Sequence, residues 1–464
     1  MIKSLGLFLL LLNCAHAYKI LIYSPQIADT LVDAGHNVTM LLPIMNPAVA
    51  DGSNKVQHKI YVEPDPVVKQ TYENHSEMNI IELNLFNPIT PLFLGPLFAS
   101  NFGRTCARML AEPGLIERLR EEKYDVYIAE NIEVCGIGIS AAIQPKAFEE
   151  YGVPQALSYR PTLFYAHLNV HSLLSRLTNL VGEVFIRTQF WFPRRACDAA
   201  LRKRFGDDYP SVAEQSSNIA FLFANSEPLI ETAAPTLSRV IDISHIGARE
   251  PKPLDEKWSA ILSRRPRAIL VSFGSMVKSY LFPINTKLSI LKLEDEFSRE
   301  NASRVANLVL TEWMPQIDIL NHPSLVAFIT HGGMGSVQEA AVRGVPGIFI
   351  PIFGDQPRNA GMMERNGLGL VYDKFALADD ERLTATVREV VENEKYRVAA
   401  RRISRMLAKK PFKPKEQLVK HVEFAAEFGA SSALRPRSHD MSFIAYHNLD
   451  LIFAFTIFIF VILS

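Results

Sequence analysis

Residues 313–357 read WMPQIDILNHPSLVAFITHGGMGSVQEAAVRGVPGIFIPIFGDQP, and the fold turns on how this stretch is read. Its centre, residues 325–330 (LVAFIT), is the continuous apolar run expected of a parallel strand buried on both faces. The loop His331-Gly332-Gly333-Met334-Gly335-Ser336 comes next, and a helix is expected over residues 337–343. Gly344 is a natural stop for it, because glycine adopts the left-handed C′ conformation without strain. A second short apolar run, residues 347–350, leads to the polar turn Gly354-Asp355-Gln356-Pro357, which opens another helix. Strand, glycine loop, helix and strand form one βαβ unit. Its loop lies at the carboxyl end of the strand, where open α/β sheets bind ligands.

Glycines there let a ligand approach the backbone, and free N–H groups at the helix start favour an anion such as a diphosphate. Taken alone, the loop is equally a plain structural turn, since it is not GxGxxG. Its surroundings add more. Glu339, one turn into the helix, can bind a vicinal diol through both carboxylate oxygens. Asp355 and Gln356 close the following strand with hydroxyl-binding groups. Trp313 and Gln316 offer a stacking face and an amide that reads a base edge. Base, ribose, diphosphate and hexose together make a nucleotide sugar.

These residues resemble the signature of the UDP-glucuronosyltransferase family, the UDP-glycosyltransferases of animals and plants. Trp313-x-Pro315-Gln316, His322-Pro323, Phe328-Ile329-Thr330-His331-Gly332-Gly333, Glu339-Ala340, Gly344-x-Pro346 and Asp355-Gln356-Pro357 sit at that family's spacing. Gly335-Ser336 and Gly354-Asp355-Gln356-Pro357-Arg358-Asn359-Ala360 look closest to nematode members. The resemblance covers nearly all of residues 18–450. It implies an α/β protein of GT-B architecture, two Rossmann-like domains facing a cleft, plus a C-terminal membrane segment. The implied activity is a glycosyltransferase, moving glucuronate or glucose from a UDP-sugar to a small lipophilic hydroxyl-bearing acceptor with inversion. UDP-sugar is then a co-substrate, and no cofactor or metal is expected. The alternative is a non-catalytic member that binds UDP-sugar or partner subunits. A dinucleotide-dependent oxidoreductase is disfavoured, because no GxGxxG with a downstream acidic residue is visible.

The chain has 464 residues, 48% hydrophobic and 21% charged, enough for two globular domains. Lys+Arg and Asp+Glu are equal at 49 each, so nothing points to nucleic acid. Residues 1–17 carry Lys3, an apolar run and the small-residue site Ala15-His16-Ala17, the pattern of a secretory signal peptide. After it come an acceptor domain over 18–250, a donor domain over 251–435, and a lead-in with a truncated anchor over 436–464. The last apolar run, residues 451–463, spans roughly 20 Å as a helix against a hydrocarbon core of about 30 Å. The protein is expected in the endoplasmic reticulum lumen, held to lipid by this segment. Three cysteines remain, Cys106, Cys135 and Cys197, and the odd number argues against a disulfide framework. Sequons stand at Asn37, Asn74 and Asn301, the first on an expected buried strand.

In the first half, strands are expected over 19–23, 37–43 and 124–129, with a helix over 27–35. The resemblance places a catalytic histidine in a loop after the first strand, but no histidine lies between Tyr23 and Asp29. His36, at the far end of the helix, reads as a surface or capping residue. Glu130 takes the family's acidic position, which orients that histidine; it also fits a satisfied polar group at a strand end. Phe164, Tyr165, Phe185, Phe190, Trp191 and Phe192 line the acceptor cleft or pack a core. Arg187, Arg194, Arg195, Arg202 and Arg204 read as a solvated face. His167 and His171 are four apart, with no partner evident for metal binding.

Residues 249–253 form a proline-containing hinge. The strand expected over 268–273 leads to Gly274, and by resemblance Ser272 or Ser275 donates to phosphate; a structural serine is the other reading. Residues 278–304 are largely polar, and no strand is legible before 305–310. One core βα step of the family's pattern therefore looks missing or rewritten, and the histidine loop looks missing.

Overall fold

The computed structural model describes residues 17–22, 25–44, 52–75, 90–129, 156–163, 165–247, 249–274, 290–292, 307–311 and 313–463. The first half builds β1 (Lys19–Ile22), α1 (Pro25–Asp33), β2 (Asn37–Pro43), β3 (His58–Val62), α2 (Pro66–His75), α3 (Thr90–Leu110), α4 (Leu115–Glu121) and β4 (Val126–Ile128). Its sheet is all parallel with the order β3-β2-β1-β4. Alternate residues face opposite cores. Ile20, Ile22, Val38 and Met40 point one way, Leu21, Leu41 and Val62 the other.

A long helix, α5 (Leu173–Phe205), and a short one, α6 (Val212–Ser217), precede a separate parallel pair, β5 (Leu222–Ala224) and β6 (Val240–Asp242). The second large sheet follows from α7 (Glu256–Ser263), β7 (Ala268–Ser272), β8 (Ile290–Lys292), β9 (Val309–Thr311), α8 (Gln316–Leu320), β10 (Leu325–Thr330), α9 (Met334–Arg343), β11 (Gly347–Phe349), α10 (Gln356–Arg365) and β12 (Gly369–Val371). Its order is β12-β11-β10-β7-β8-β9, parallel throughout. Phe328 packs with Leu270 and Phe349 on one face; Ala327 and Ile329 join Val271 and Ile348 on the other. Two-sided burial explains why β10 reads as an unbroken apolar run, with the boundaries expected from sequence.

The chain closes with α11 (Asp380–Glu392), α12 (Glu394–Ala408), α13 (Pro414–Phe428), α14 (Phe443–Tyr446) and α15 (Leu449–Leu463). Helix α13 returns to the first half, where Leu418, Val422 and Ala425 complete the core around Ile20, Ile22 and Phe223.

Several expectations need correction. The step is rewritten rather than missing: β8 pairs with β7 at one position, Val271 with Leu291, and with β9 at three. Its three residues are too few to stand out among polar neighbours. His36 is buried, with its side chain 1% exposed, and Tyr18 N–H points at its Nδ1 from 3.4 Å. Glu423 of α13 lies 3.7 Å from its Nε2, so burial comes from a helix far along the chain. Cys106 is disulfide-bonded, whereas buried Cys197 is free and its thiol is pushed up to about 12 by burial. An odd count leaves room for one bridge and one thiol. Asn37 is exposed at the start of β2, not buried. His167 and His171 lie before α5 rather than on it, and His167 Nε2 pairs with Glu364 Oε2 at 2.9 Å. Arg194 does not belong to a solvated face, for burial lowers its pKa to about 10. The C-terminal helix forms over 15 residues, all exposed. Among the described residues no helix is long and apolar enough to cross a membrane.

Candidate active site at the switch point of the second sheet

From β7 the chain steps outward to β8 and β9, then crosses to the other side of β7 to lay down β10, β11 and β12. The strand order therefore reverses between β7 and β10. At such a point the loops after the two strands diverge and leave a crevice, the usual ligand site of an open parallel sheet. Ser272 and Gly274 stand at the end of β7, His331 and its glycines at the end of β10, and Asp355 and Gln356 after the neighbouring β11.

His331 fills the centre. A Cβ added to Gly333 would lie 2.4 Å from His331 Nε2, so only glycine fits beside the ring. Gly332 takes φ +82°, a left-handed turn that brings the chain off β10 and into α9. Burial holds the His331 imidazole down at about 4, although it donates a hydrogen bond to the Ser272 carbonyl. At that value the ring of the unliganded chain is neutral at pH 7, with a proton on the nitrogen that faces the Ser272 carbonyl.

Met334, Gly335 and Ser336, expected in the loop, form the first turn of α9. Gly333 is the N-cap and brings no side chain to cap it, so the first N–H groups of the helix are left for another acceptor. Open space faces Gly335. Gly344 ends the helix in the left-handed conformation, as its position suggested.

One turn along α9, Gln316 Nε2 donates to Glu339 Oε2 at 2.7 Å. Burial raises the Glu339 pKa, against the pull of Gln316 and Arg249. Trp313, three residues before Gln316, is 76% exposed. A half-buried carboxylate, an amide and an open indole therefore line one end of the crevice.

At the other end, Gln356 Oε1 accepts from the N–H groups of Ile352 and Phe353 at 2.8 and 3.0 Å, which fixes the turn. Asn359, named in the sequence only as part of a motif and given no role there, ties the two loops together. Its Nδ2 donates to the Gly332 carbonyl at 3.1 Å and to Asp355 Oδ2 at 2.7 Å. Its Oδ1 is buried with no hydrogen-bond partner. The i,i+4 spacing from Asp355 in a helix was the available signal. Burial raises the Asp355 pKa, opposed by this hydrogen bond. Ser275 and Glu130 lie outside the described residues; β4 ends at Ile128, just before the latter.

Helix α10 also joins the crevice to the first half. Arg358 is hydrogen-bonded to Glu231, and Arg160 Nη2 lies 3.8 Å from the same carboxylate oxygen. A Cβ on Gly361 would meet the Ala166 carbonyl oxygen at 1.8 Å, so backbone packs on backbone there. Burial alone would push Glu231 up, but Arg358 and Arg160 bring it below its ordinary value. Nearby Glu227 is likewise penalised by burial, and hydrogen bonds from Ser244 and Lys410, with His245 Nε2 at 3.5 Å, hold it at about 2.

Asp242 is the costly member, raised to about 6 by burial, with Lys410 opposing and Glu227 reinforcing the shift. Because its folded value exceeds the ordinary 3.8, ionising Asp242 opposes folding: the cost is absent below about pH 4 and complete above about pH 6. Asp242→Asn is therefore expected to raise Tm near neutral pH, the gain shrinking to nothing as pH falls to about 4. Thermal unfolding of both proteins across that range checks it.

Two all-parallel sheets and a polar crevice at the reversal of strand order make an α/β fold of GT-B type. Solved structures agree on the fold. The chain is similar to the glycosyltransferase SnogD of Streptomyces nogalater, with TM-score 0.53 at 18% identity over 88% of this chain and 99% of that one. It is also similar to the glycosyltransferase VinC, solved with DTDP, with TM-score 0.52 at 17% identity over 88% and 100%. Among curated proteins, "Putative UDP-glucuronosyltransferase ugt-48" of Caenorhabditis elegans is 28% identical over 96% of this chain and 93% of its own. UDP-glucuronosyltransferase 3A1 of Bos taurus is 25% identical over 92% and 86%. The sequence model of the family UDP-glucoronosyl and UDP-glucosyl transferase matches residues 9–464. The chain belongs to that family, and it is a transferase with a UDP-sugar as donor.

Proposed function

We propose that the switch-point crevice holds the UDP-sugar and that the chain transfers glucuronate or glucose to a small lipophilic hydroxyl-bearing acceptor with inversion. The observation that carries this reading is the joining of His331, Gly333, Glu339, Asp355 and Asn359 at the carboxyl ends of the adjacent strands β10 and β11, with Gln316 brought to Glu339 from the segment after edge strand β9. The uracil stacks on Trp313 and is read by Gln316, and the ribose diol takes the Glu339 carboxylate. The diphosphate lies on the N–H groups of residues 333–336, with Ser272, Ser275 and the neutral His331 as donors. Asp355 and Gln356 meet the sugar hydroxyls. No cofactor takes part. Residues 251–435 supply this donor site and residues 18–250 the acceptor side of a cleft. The chain works in the endoplasmic reticulum lumen after loss of residues 1–17, with residues 436–464 against lipid.

Transfer needs a base for the acceptor hydroxyl, and Glu130 is the candidate. His36 is not one: it contacts Tyr18 at the amino end of β1, the edge of the sheet opposite the carboxyl ends. That placement, with no histidine in the sequence between Tyr23 and Asp29, favours a second reading in which the chain binds UDP-sugar or a partner subunit without turnover.

UDP release with a panel of phenols, comparing UDP-glucuronate and UDP-glucose, tests the first reading. It predicts turnover with one of the two donors, lost at least about 100-fold in Glu130→Ala. Tight UDP binding without release under any condition would favour the second.

A further inference from the structure

Helix α5 is sided in a way that the fold does not use. Ile186, Cys197 and Leu201 on one side are buried, and the last two join Cys106 and Leu110 of α3 in a core. The other side presents Leu173, Leu177, Leu180, Val184 and Trp191, which are between 48 and 74% exposed. Arg195 and Arg202, both exposed, continue the same line. At 3.6 residues per turn these seven positions fall in a sector of roughly 60°. One face of a 33-residue helix is thus apolar along its first half and cationic along its second.

A cavity of about 920 Å³ opens at the junction, where Trp191 meets Arg187, Arg194, Arg195, Arg202 and Lys203. The Arg195 guanidinium lies 5.1 Å from the centre of the Trp191 ring. Two carboxylates, Asp198 and Asp207, also border the cavity, and Asp198 is occupied by the Val212 N–H at 2.8 Å. With Arg187 paired to Glu183 at 3.3 Å, the other four cations against Asp198 and Asp207 leave the cavity positive.

An aqueous protein partner would cover the leucines without needing a cationic cavity beside them. A free anion would suit the cavity but not the leucines. An anionic bilayer satisfies both, with apolar side chains at the acyl boundary, phosphates among the arginines, and a tryptophan where the two meet. We propose that α5 is a membrane-docking helix, whose residues 173–184 enter the headgroup boundary while Arg195, Arg202 and Lys203 hold anionic phospholipid headgroups around Trp191. This contact is separate from the donor crevice and from α15, whose sequence LDLIFAFTIFIFVIL carries no basic residue.

The test uses the full chain with vesicles of phosphatidylcholine alone and with added phosphatidylserine, read by co-sedimentation at low and high salt. Wild type is expected to bind the anionic vesicles at least about tenfold more tightly, with the preference lost in high salt. The double variant Arg195→Glu/Arg202→Glu should lose the preference but keep the charge-independent binding through α15. Leu177→Glu/Val184→Glu should weaken binding to both vesicles. Unchanged Tm in both variants shows that they are folded. Equal binding of wild type to both vesicles overturns the proposal, as does a preference that survives the arginine changes. Two further results also overturn it: altered acceptor KM with lipid binding intact in the leucine variant would make this face an acceptor wall, and loss of a dimer there would make it a subunit contact.

Discussion

Glu339→Ala is expected to weaken UDP binding by about 100-fold, through loss of two charge-assisted hydrogen bonds worth about 1.5–3 kcal/mol each before compensation by water. The side chain is half-buried on α9 and is already aligned by Gln316 at 2.7 Å, so little ordering cost is paid when the diol arrives. Burial raises its pKa, which means the site spends free energy to keep a carboxylate there. Tm should be unchanged or slightly higher in the variant. Calorimetric titration with UDP reads the affinity, and Glu339→Gln, which keeps one acceptor oxygen, should fall between the two. A loss below about threefold would show that the ribose does not meet this residue.

The second large effect is on stability. Glu231→Ala leaves Arg160 and Arg358 buried beside each other, their side chains 9 and 7% exposed, with no carboxylate between them. Removing one partner of a buried charge cluster costs about 3–5 kcal/mol, equivalent to a Tm fall of roughly 6–20 °C for a domain of about 200 residues. Removing the charges together should cost less. A triple replacement of Arg160, Glu231 and Arg358 by methionine, leucine and methionine is expected to recover at least half of the lost Tm. The same variant tests whether α10 is held from the first half. If it is, donor KM should rise in Glu231→Ala, because Asp355 and Asn359 ride on the helix that Arg358 anchors. A Tm change under about 2 °C would mean that the cluster is relieved by water.

What the sequence disclosed and what it hid follow from how far each signal reaches along the chain. Residues 325–330 were legible because burial on both faces leaves an unbroken apolar run, and Gly344 because a left-handed helix stop wants glycine. The start of α9 was not. Gly333 and Gly335 look like loop, yet the second is in the first helical turn, and the first is dictated by the ring of His331. Strand β8 was missed because three residues between well-formed neighbours need no periodicity of their own. The burial of His36 depends on Glu423, and the Arg160–Glu231–Arg358 cluster joins three distant segments. No local pattern carries such contacts. Asn359 lies between the two: its spacing from Asp355 is in the sequence, but its reach to Gly332 is a property of the sheet.

The central claim is that the crevice between β7 and β10 is a working UDP site. Calorimetric titration of the full chain with UDP, in parallel with Glu339→Ala and Gly335→Val, whose added side chain enters the open space over the first turn of α9, tests it most directly. One saturable site per chain in the wild type, nearly lost in both variants while their Tm stays within a few degrees, is the predicted result. A folded wild-type chain that gives no saturable heat with UDP, or equal binding by all three proteins, would contradict it.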